Sequence, residues 1–90
     1  MAEVHLPPTL PQVFADLPRT VDVDAASVGE AIDRLDARWP GLGDRLCEPG
    51  PSGRALRSHM AVFVDGERAT LDAPLVPGAR LDVVAAISGG

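Results

Sequence analysis

The sequence predicts an α+β domain, a mixed sheet of four to five strands with one main helix packed on one face. Three observations point there. Short runs that alternate apolar and polar residues, as a strand with one buried face must, recur at the start, the middle and the end of the chain. One stretch carries apolar residues at helical spacing behind a marked N-terminal cap. The order of these elements, two strands, a helix, then more strands, lets the helix cover one face of the sheet and leaves the other open.

The elements follow in order. Val4 and Leu6 alternate with Glu3 and His5 until Pro7-Pro8 stops the pattern, which predicts a short strand. Thr9 to Leu17 has no clear period and contains Pro11, so it reads as a connection. Arg19 to Asp24 alternates again with Val21 and Val23 on one side, which predicts an antiparallel partner for the first strand. Ser27 and Glu30 fit a capping box, in which hydroxyl and carboxylate satisfy free backbone N–H groups at a helix start. Val28, Ala31, Ile32, Leu35 and Trp39 then share one helical face, and Pro40-Gly41 ends the helix. Leu42 and Leu46 suggest one further turn laid on the core, and Glu48 to Gly53 reads as a loop from its Pro and Gly content. Met60 to Val64 is a strong strand followed by the turn pair Asp65-Gly66. Glu67 to Leu71 returns as a short strand or irregular edge, Asp72 to Gly78 is a loop, and Arg80 to Ala85 is the last strand. This is the order of the β-grasp fold, in which the first and last strands lie side by side and parallel at the sheet centre.

Composition narrows the function classes. Ninety residues make one domain, and 46% hydrophobic with 23% charged residues describes a globular chain. The net charge is −5 and all eight basic residues are Arg, so there is no basic cluster for nucleic acid. An acidic domain suits a partner with a basic docking surface. No apolar run approaches the roughly 18 residues that a membrane-spanning helix needs. The lone Cys47 has no internal disulfide partner, and Met1 to His5 lacks a secretory signal pattern, so the cytoplasm is the expected location. Cys47 has no CxxC and no adjacent His, which favours a structural role. His5 and His59 alone do not make a metal site. Asp22, Asp24, Asp33 and Asp36 read as a solvated acidic surface. Trp39 reads as a packing residue at the helix end.

The chain stops at Ser88-Gly89-Gly90 directly after an apolar run. Residues 1–84 are expected to form the domain and 85–90 a flexible diglycine tail. Glycine has no Cβ, so Gly89 and Gly90 permit close approach of a partner's backbone. Fully extended, the six residues from Ala85 span about 20 Å, enough to thread into a partner's site. No charged side chain on the tail would be desolvated on the way. On the sheet, if Val4, Leu6, Met60, Val62, Val64, Leu81 and Val83 face the helix, then His5, His59, Ala61, Phe63 and Val84 face outward. Phe63 and Val84 would there form an apolar docking patch, with Asp82 and Glu67 nearby to steer a basic partner.

The element order, the stretch Ser27-Val28-Gly29-Glu30-Ala31-Ile32-Asp33-Arg34-Leu35, then Trp39-Pro40-Gly41-Leu42, Val62-Phe63-Val64-Asp65-Gly66-Glu67, Pro77-Gly78 and Gly89-Gly90 together resemble the MoaD/ThiS family of ubiquitin-like sulfur carrier proteins. The resemblance runs from about Val4 to Gly90. The long connection between the helix and the third strand resembles the MoaD and CysO branch. Two places depart from the family pattern: Gly78-Ala79 stands where Gly-Asp is common, and Ala85-Ala86-Ile87-Ser88 replaces a Pro-Ala-Val-Ala-like approach to the glycines.

The resemblance implies a protein that is not an enzyme but the co-substrate of others. Gly90 would be adenylated by a ubiquitin-activating-enzyme-like adenylyltransferase using ATP, then converted by a sulfur donor to a thiocarboxylate. Gly89 would supply clearance, and Phe63, Ala61, Val84, His5, Ile87 and Ser88 would meet the partner. A downstream sulfur-using enzyme would take the sulfur, with molybdopterin synthesis the default pathway. The chain itself would bind no cofactor and no metal, and would be a monomer alone and a heteromer in action. Two other readings stand beside this one: a protein modifier joined through Gly90 to target lysines, and a β-grasp binding module whose tail has no chemical role.

Overall fold

The computed structural model describes residues 1–8, 10, 14, 16–51 and 53–85. Strands β1 (Ala2–His5) and β2 (Thr20–Val23) come first, then helices α1 (Val28–Arg38) and α2 (Leu42–Leu46). Strands β3 (Cys47–Gly50), β4 (Gly53–Leu56), β5 (Met60–Val64), β6 (Glu67–Ala69) and β7 (Arg80–Ala85) follow. Five strands form the main sheet in the order β2-β1-β7-β5-β6, and β3 and β4 make a separate two-stranded sheet. β7 runs parallel to β1 and antiparallel to β5 at the centre of the sheet. The β-grasp arrangement expected from the element order is the one observed.

Alternation builds the main sheet as the sequence indicates. β1 and β2 pair antiparallel with Val4 opposite Val21, and both side chains are buried. Val4, Val62 and Leu81 are fully buried beneath Val28, Ala31, Ile32 and Leu35 of α1, which are equally inaccessible. Burial of this apolar row is what holds the helix to the sheet, since a helix of this length has little stability of its own in water. Asp65 and Gly66 both take positive φ, 49° and 88°, and Val64 pairs with Glu67, so a two-residue turn whose backbone twist matches the strands joins β5 to β6.

The start of α1 is capped nearly as expected. Ser27 Oγ accepts the N–H of Glu30 at 3.1 Å. The Glu30 carboxylate reaches one residue past the cap and accepts the N–H of Ala26 at 3.2 Å. Two further N–H groups at this end are taken up by the loop after β6: Val28 donates to Ala73 O at 3.0 Å and Gly29 to Leu71 O at 2.9 Å. A helix start leaves four such donors open, and here a distant segment supplies acceptors. Trp39 caps the other end of α1, half-buried against the core, with the Arg38 guanidinium 4.7 Å from its ring centre.

Two expectations are corrected. The segment from Glu48 to Gly53, read as a loop, is the body of a hairpin in which Glu48 pairs with Ala55 and Pro49 with Arg54. Pro is tolerated because these are edge strands. Composition misleads here because the hairpin is held from outside. Arg54 donates to Gly29 O at 2.8 Å and pairs with Asp33 at 2.9 Å, which ties β4 to α1. Arg57 donates to Asp44 O at 2.7 Å, which ties the end of the hairpin to α2.

The acidic residues are also not uniformly solvated. Besides Asp33 in its ion pair, Asp36 Oδ1 accepts the N–H groups of Gly41 (3.1 Å) and Gly43 (2.8 Å). It thereby organises the tight connection between α1 and α2, where Gly41 takes a φ of 98°.

Candidate functional site

Two features meet at one end of the sheet: the exit of β7 and the face that α1 does not cover. Ala85, the last described residue, still pairs with Met60 at the start of β5. Its neighbour β1 ends at His5, which pairs with Asp82. The chain therefore leaves from a central strand that is paired with β1 as far as Asp82 and with β5 as far as Ala85. Ile87, Ser88, Gly89 and Gly90, expected to carry and present the reacting carboxyl, lie outside the described residues.

The uncovered face is laid out by register. Thr20, His5, Asp82, Phe63 and Arg68 are successive cross-strand partners and form one row over all five strands. Ala61 and Val84 are partners on the next row toward the β7 exit. Glu3 and Arg80 are partners on the other side. Phe63 and Ala61 are half-buried, and Val84 is 40% exposed, among the most exposed large apolar side chains described. Phe63 does not pack against the buried core, whereas Val64 beside it does. The outward orientation expected for Ala61, Phe63, Val84 and His5 is thus the one seen. His59 lies in the turn before β5, exposed, and is not on the strand.

The electrostatics of this face differ from expectation. Glu67 pairs with Val64, so alternation places it on the other side of the sheet, and Arg68 stands beside Phe63 instead. The Asp82 carboxylate is held by Arg80 Nε, 3.1 Å from each oxygen. That hydrogen bond, with the charge of Asp82, raises Arg80 above its already high ordinary pKa. His5 Nε2 contacts the Glu3 carboxylate. The apolar corner of Ala61, Phe63 and Val84 is therefore bordered by the Asp82–Arg80 ion pair and by Glu3 in contact with His5, rather than by a free acidic fringe. Glu3, Arg80, Arg68 and Thr20 are members of the face that the sequence reading did not single out. The signal that finds them is the same period-two alternation, applied once the strand neighbours are known.

Elsewhere the chemistry is quiet. Cys47 caps α2, is 7% exposed, and its thiol is pushed up by burial, so it is poorly suited to act as a nucleophile. Among the described residues no group of three or more His, Cys, Asp or Glu is placed to hold a metal ion. No helix among them is long and apolar enough to cross a membrane. Ala79 is 2% exposed, a position where a carboxylate would need its own partner.

Comparison with known proteins places this geometry. The model of the ThiS family matches residues 12–90. Small archaeal modifier protein 1 of Haloferax volcanii is 37% identical over 87 residues, covering 88% of this chain and 97% of the relative. The crystal structure of SAMP1 from Haloferax volcanii matches with a TM-score of 0.76 at 35% identity, covering 99% of this chain and 98% of that one. A chain in the crystal structure of the Amycolatopsis orientalis BexX/CysO complex matches with a TM-score of 0.85 at 26% identity over 100% of both chains.

Proposed function

This chain belongs to the ThiS family, and from that premise we propose that it is a sulfur carrier whose Gly90 carboxylate is activated and loaded by partner enzymes in the cytoplasm. The observation that carries the proposal is that the family match extends through Gly89-Gly90. In the first step a Gly90 carboxylate oxygen attacks the α-phosphorus of ATP in an adenylyltransferase, and pyrophosphate leaves. In the second, hydrosulfide attacks the acyl carbon, AMP leaves and the thiocarboxylate remains.

The chain's own part is presentation. β7 is paired with β1 as far as Asp82 and with β5 as far as Ala85, and the residues after Ala85 would reach about 17 Å at full extension. The corner of Ala61, Phe63 and Val84 is the proposed docking anchor, with Ile87 and Ser88 entering the partner alongside the glycines. A complex has been crystallised for the Amycolatopsis relative, which supports docking as the working state. Acid–base chemistry and nucleotide binding are left to the partner, which makes this chain a co-substrate and not a catalyst.

The test is intact mass after incubation with an adenylyltransferase of the ubiquitin-activating type, ATP and sulfide. The gain expected is that of one oxygen exchanged for sulfur, and it is absent when Gly89-Gly90 is deleted. No gain under demonstrated adenylation sinks the reading. The first recipient to assay is a molybdopterin precursor. One specific observation favours a second reading: the 37% identical relative bears the name of a protein modifier. Isopeptide adducts to target lysines in cell extract, with no sulfide released on hydrolysis, would favour that reading.

A further inference from the structure

The two edges of the main sheet are finished differently. Beyond β6 the chain turns back onto α1: Leu71 and Ala73 accept N–H groups of the first helical turn, and Pro74 bridges Ser27. That segment is tied to the helix start by these bonds, and a cleft of about 640 Å³ lies between it and β6, lined by Val64, Glu67, Arg68, Thr70 and Pro74. Beyond β2 nothing comparable lies among the described residues. A groove of about 340 Å³ remains there between strand and helix, lined by Asp22, Val23, Asp24, Arg34, Ala37 and Arg38.

An edge strand keeps half of its N–H and C=O groups unpaired and is a template for one more strand. We propose that β2 and the adjoining side of α1 form a second docking site. Its occupant is an extended peptide segment of a partner protein, with carboxylates on alternate residues and basic or hydroxyl residues between them.

The chemistry of the walls selects this occupant. Arg34 and Arg38 are exposed, one helical turn apart, and neither is in an ion pair among the described residues. Arg38 stacks on Trp39, which holds its guanidinium in place without neutralising it. On an added strand, residues pointing to the helix side meet these two guanidiniums and residues pointing to the open side meet Asp22. A strand paired along Thr20–Val23 covers about 13 Å, at roughly 3.3 Å per residue, and so presents two residues to each side. The charges also rule against a second copy of this chain. Antiparallel pairing of β2 with β2 in the register centred on Asp22 sets the two Asp22 side chains opposite each other, and like charges across strands are destabilising. The net charge of −5 repels acidic peptides in general, so capture of one here requires the local guanidiniums. This surface is separate from the Ala61, Phe63 and Val84 corner and does not depend on the sulfur-carrier reading.

The test is amide NMR of the isotopically labelled chain, titrated with a short synthetic peptide of alternating Glu with Lys or Thr. The expected result is saturable shifts at Thr20–Val23 and along α1 from Arg34 to Arg38. Affinity should fall about tenfold in the double variant Arg34→Gln, Arg38→Gln, the scale of losing a charge-assisted hydrogen bond. Binding should also fall when alternate peptide nitrogens are methylated, and should survive Phe63→Ala. Both arginines are on the solvent side of α1, so the double variant should keep the parent fold, and circular dichroism checks this. The proposal is overturned by no saturation up to about 1 mM, by shifts centred on Ala61, Phe63 and Val84, or by equal binding of a scrambled peptide with its acids adjacent. Concentration-dependent shifts at Thr20–Val23 without peptide, the mark of self-pairing, also overturn it.

Discussion

The two faces of the main sheet are made by the same strands and obey opposite rules. Toward α1, Val4, Val62, Leu81 and Val83 are between 0% and 3% exposed and belong to the buried apolar cluster of the core. Toward solvent, His5, Phe63, Asp82 and Val84 alternate with them along the same backbones, and the charged members are satisfied by neighbours on their own face. The difference shows a division of labour at a period of two residues. One set holds the fold together, and the other can be chosen for a partner because little of the stability rests on it.

That division is broken most severely from the buried side. Replacing Leu81 by Ala removes a fully inaccessible side chain from the central strand and is expected to cost about 2–5 kcal/mol. Chemical denaturation measures it. On the open side, Phe63→Ala is expected to leave stability within about 1 kcal/mol while weakening binding of the proposed activating partner by about 2 kcal/mol or more, the scale of an aromatic hot spot. Calorimetric titration beside a melting curve separates the two. Equal losses in both measurements would erase the distinction between the faces.

Smaller perturbations sharpen the comparison. Ser27→Ala removes the cap of the helix that creates the buried face and should cost about 1 kcal/mol. Arg54→Ala cuts the tie between the hairpin and α1. Its ion pair is partly exposed, so a few tenths to about 1 kcal/mol is expected, with hydrogen exchange accelerating in β3 and β4 before the main sheet.

The smallest effect is alkaline. The Cys47 thiol is raised in the folded chain above its ordinary value of 9.0, chiefly by burial. Above that pH the unfolded chain gives up its proton while the folded one keeps it, so stability falls as pH rises. Below it both states are protonated and Cys47 contributes no slope. Cys47→Ala should flatten this alkaline decline, read by denaturation at pH 8 and pH 10.

Much of the site was legible from residue order. The alternation in Met60 to Val64 and Arg80 to Ala85 assigned Ala61, Phe63 and Val84 to the outer side, and the register agrees. The Ser27 cap and the Asp65-Gly66 turn were readable because each depends on residues within a few positions of one another. Glu67 was not placed correctly, because a short strand after a turn has no pattern of its own and its side is set by pairing with Val64. The hairpin of β3 and β4 was missed for a related reason. Its Pro and Gly content speaks for a loop, and the contacts that order it come from Gly29, Asp33 and Asp44, far away in the chain.

Local pattern was sufficient for the strands of the main sheet, the main helix and its cap, the buried side of β1, β2, β5 and β7, and membership in a family whose match runs to Gly90. These depend on spacings of two to four residues, which any linear reading contains. Folding in space settled which charges cancel, which carboxylates serve the backbone, and which sheet edge stays open beside α1. Such outcomes depend on groups such as Arg80 and Asp82 beside Glu3 and His5, or Arg54 beside Asp33, brought together by packing. Electrostatic partnership is a matter of ångströms between atoms and not of positions along a chain.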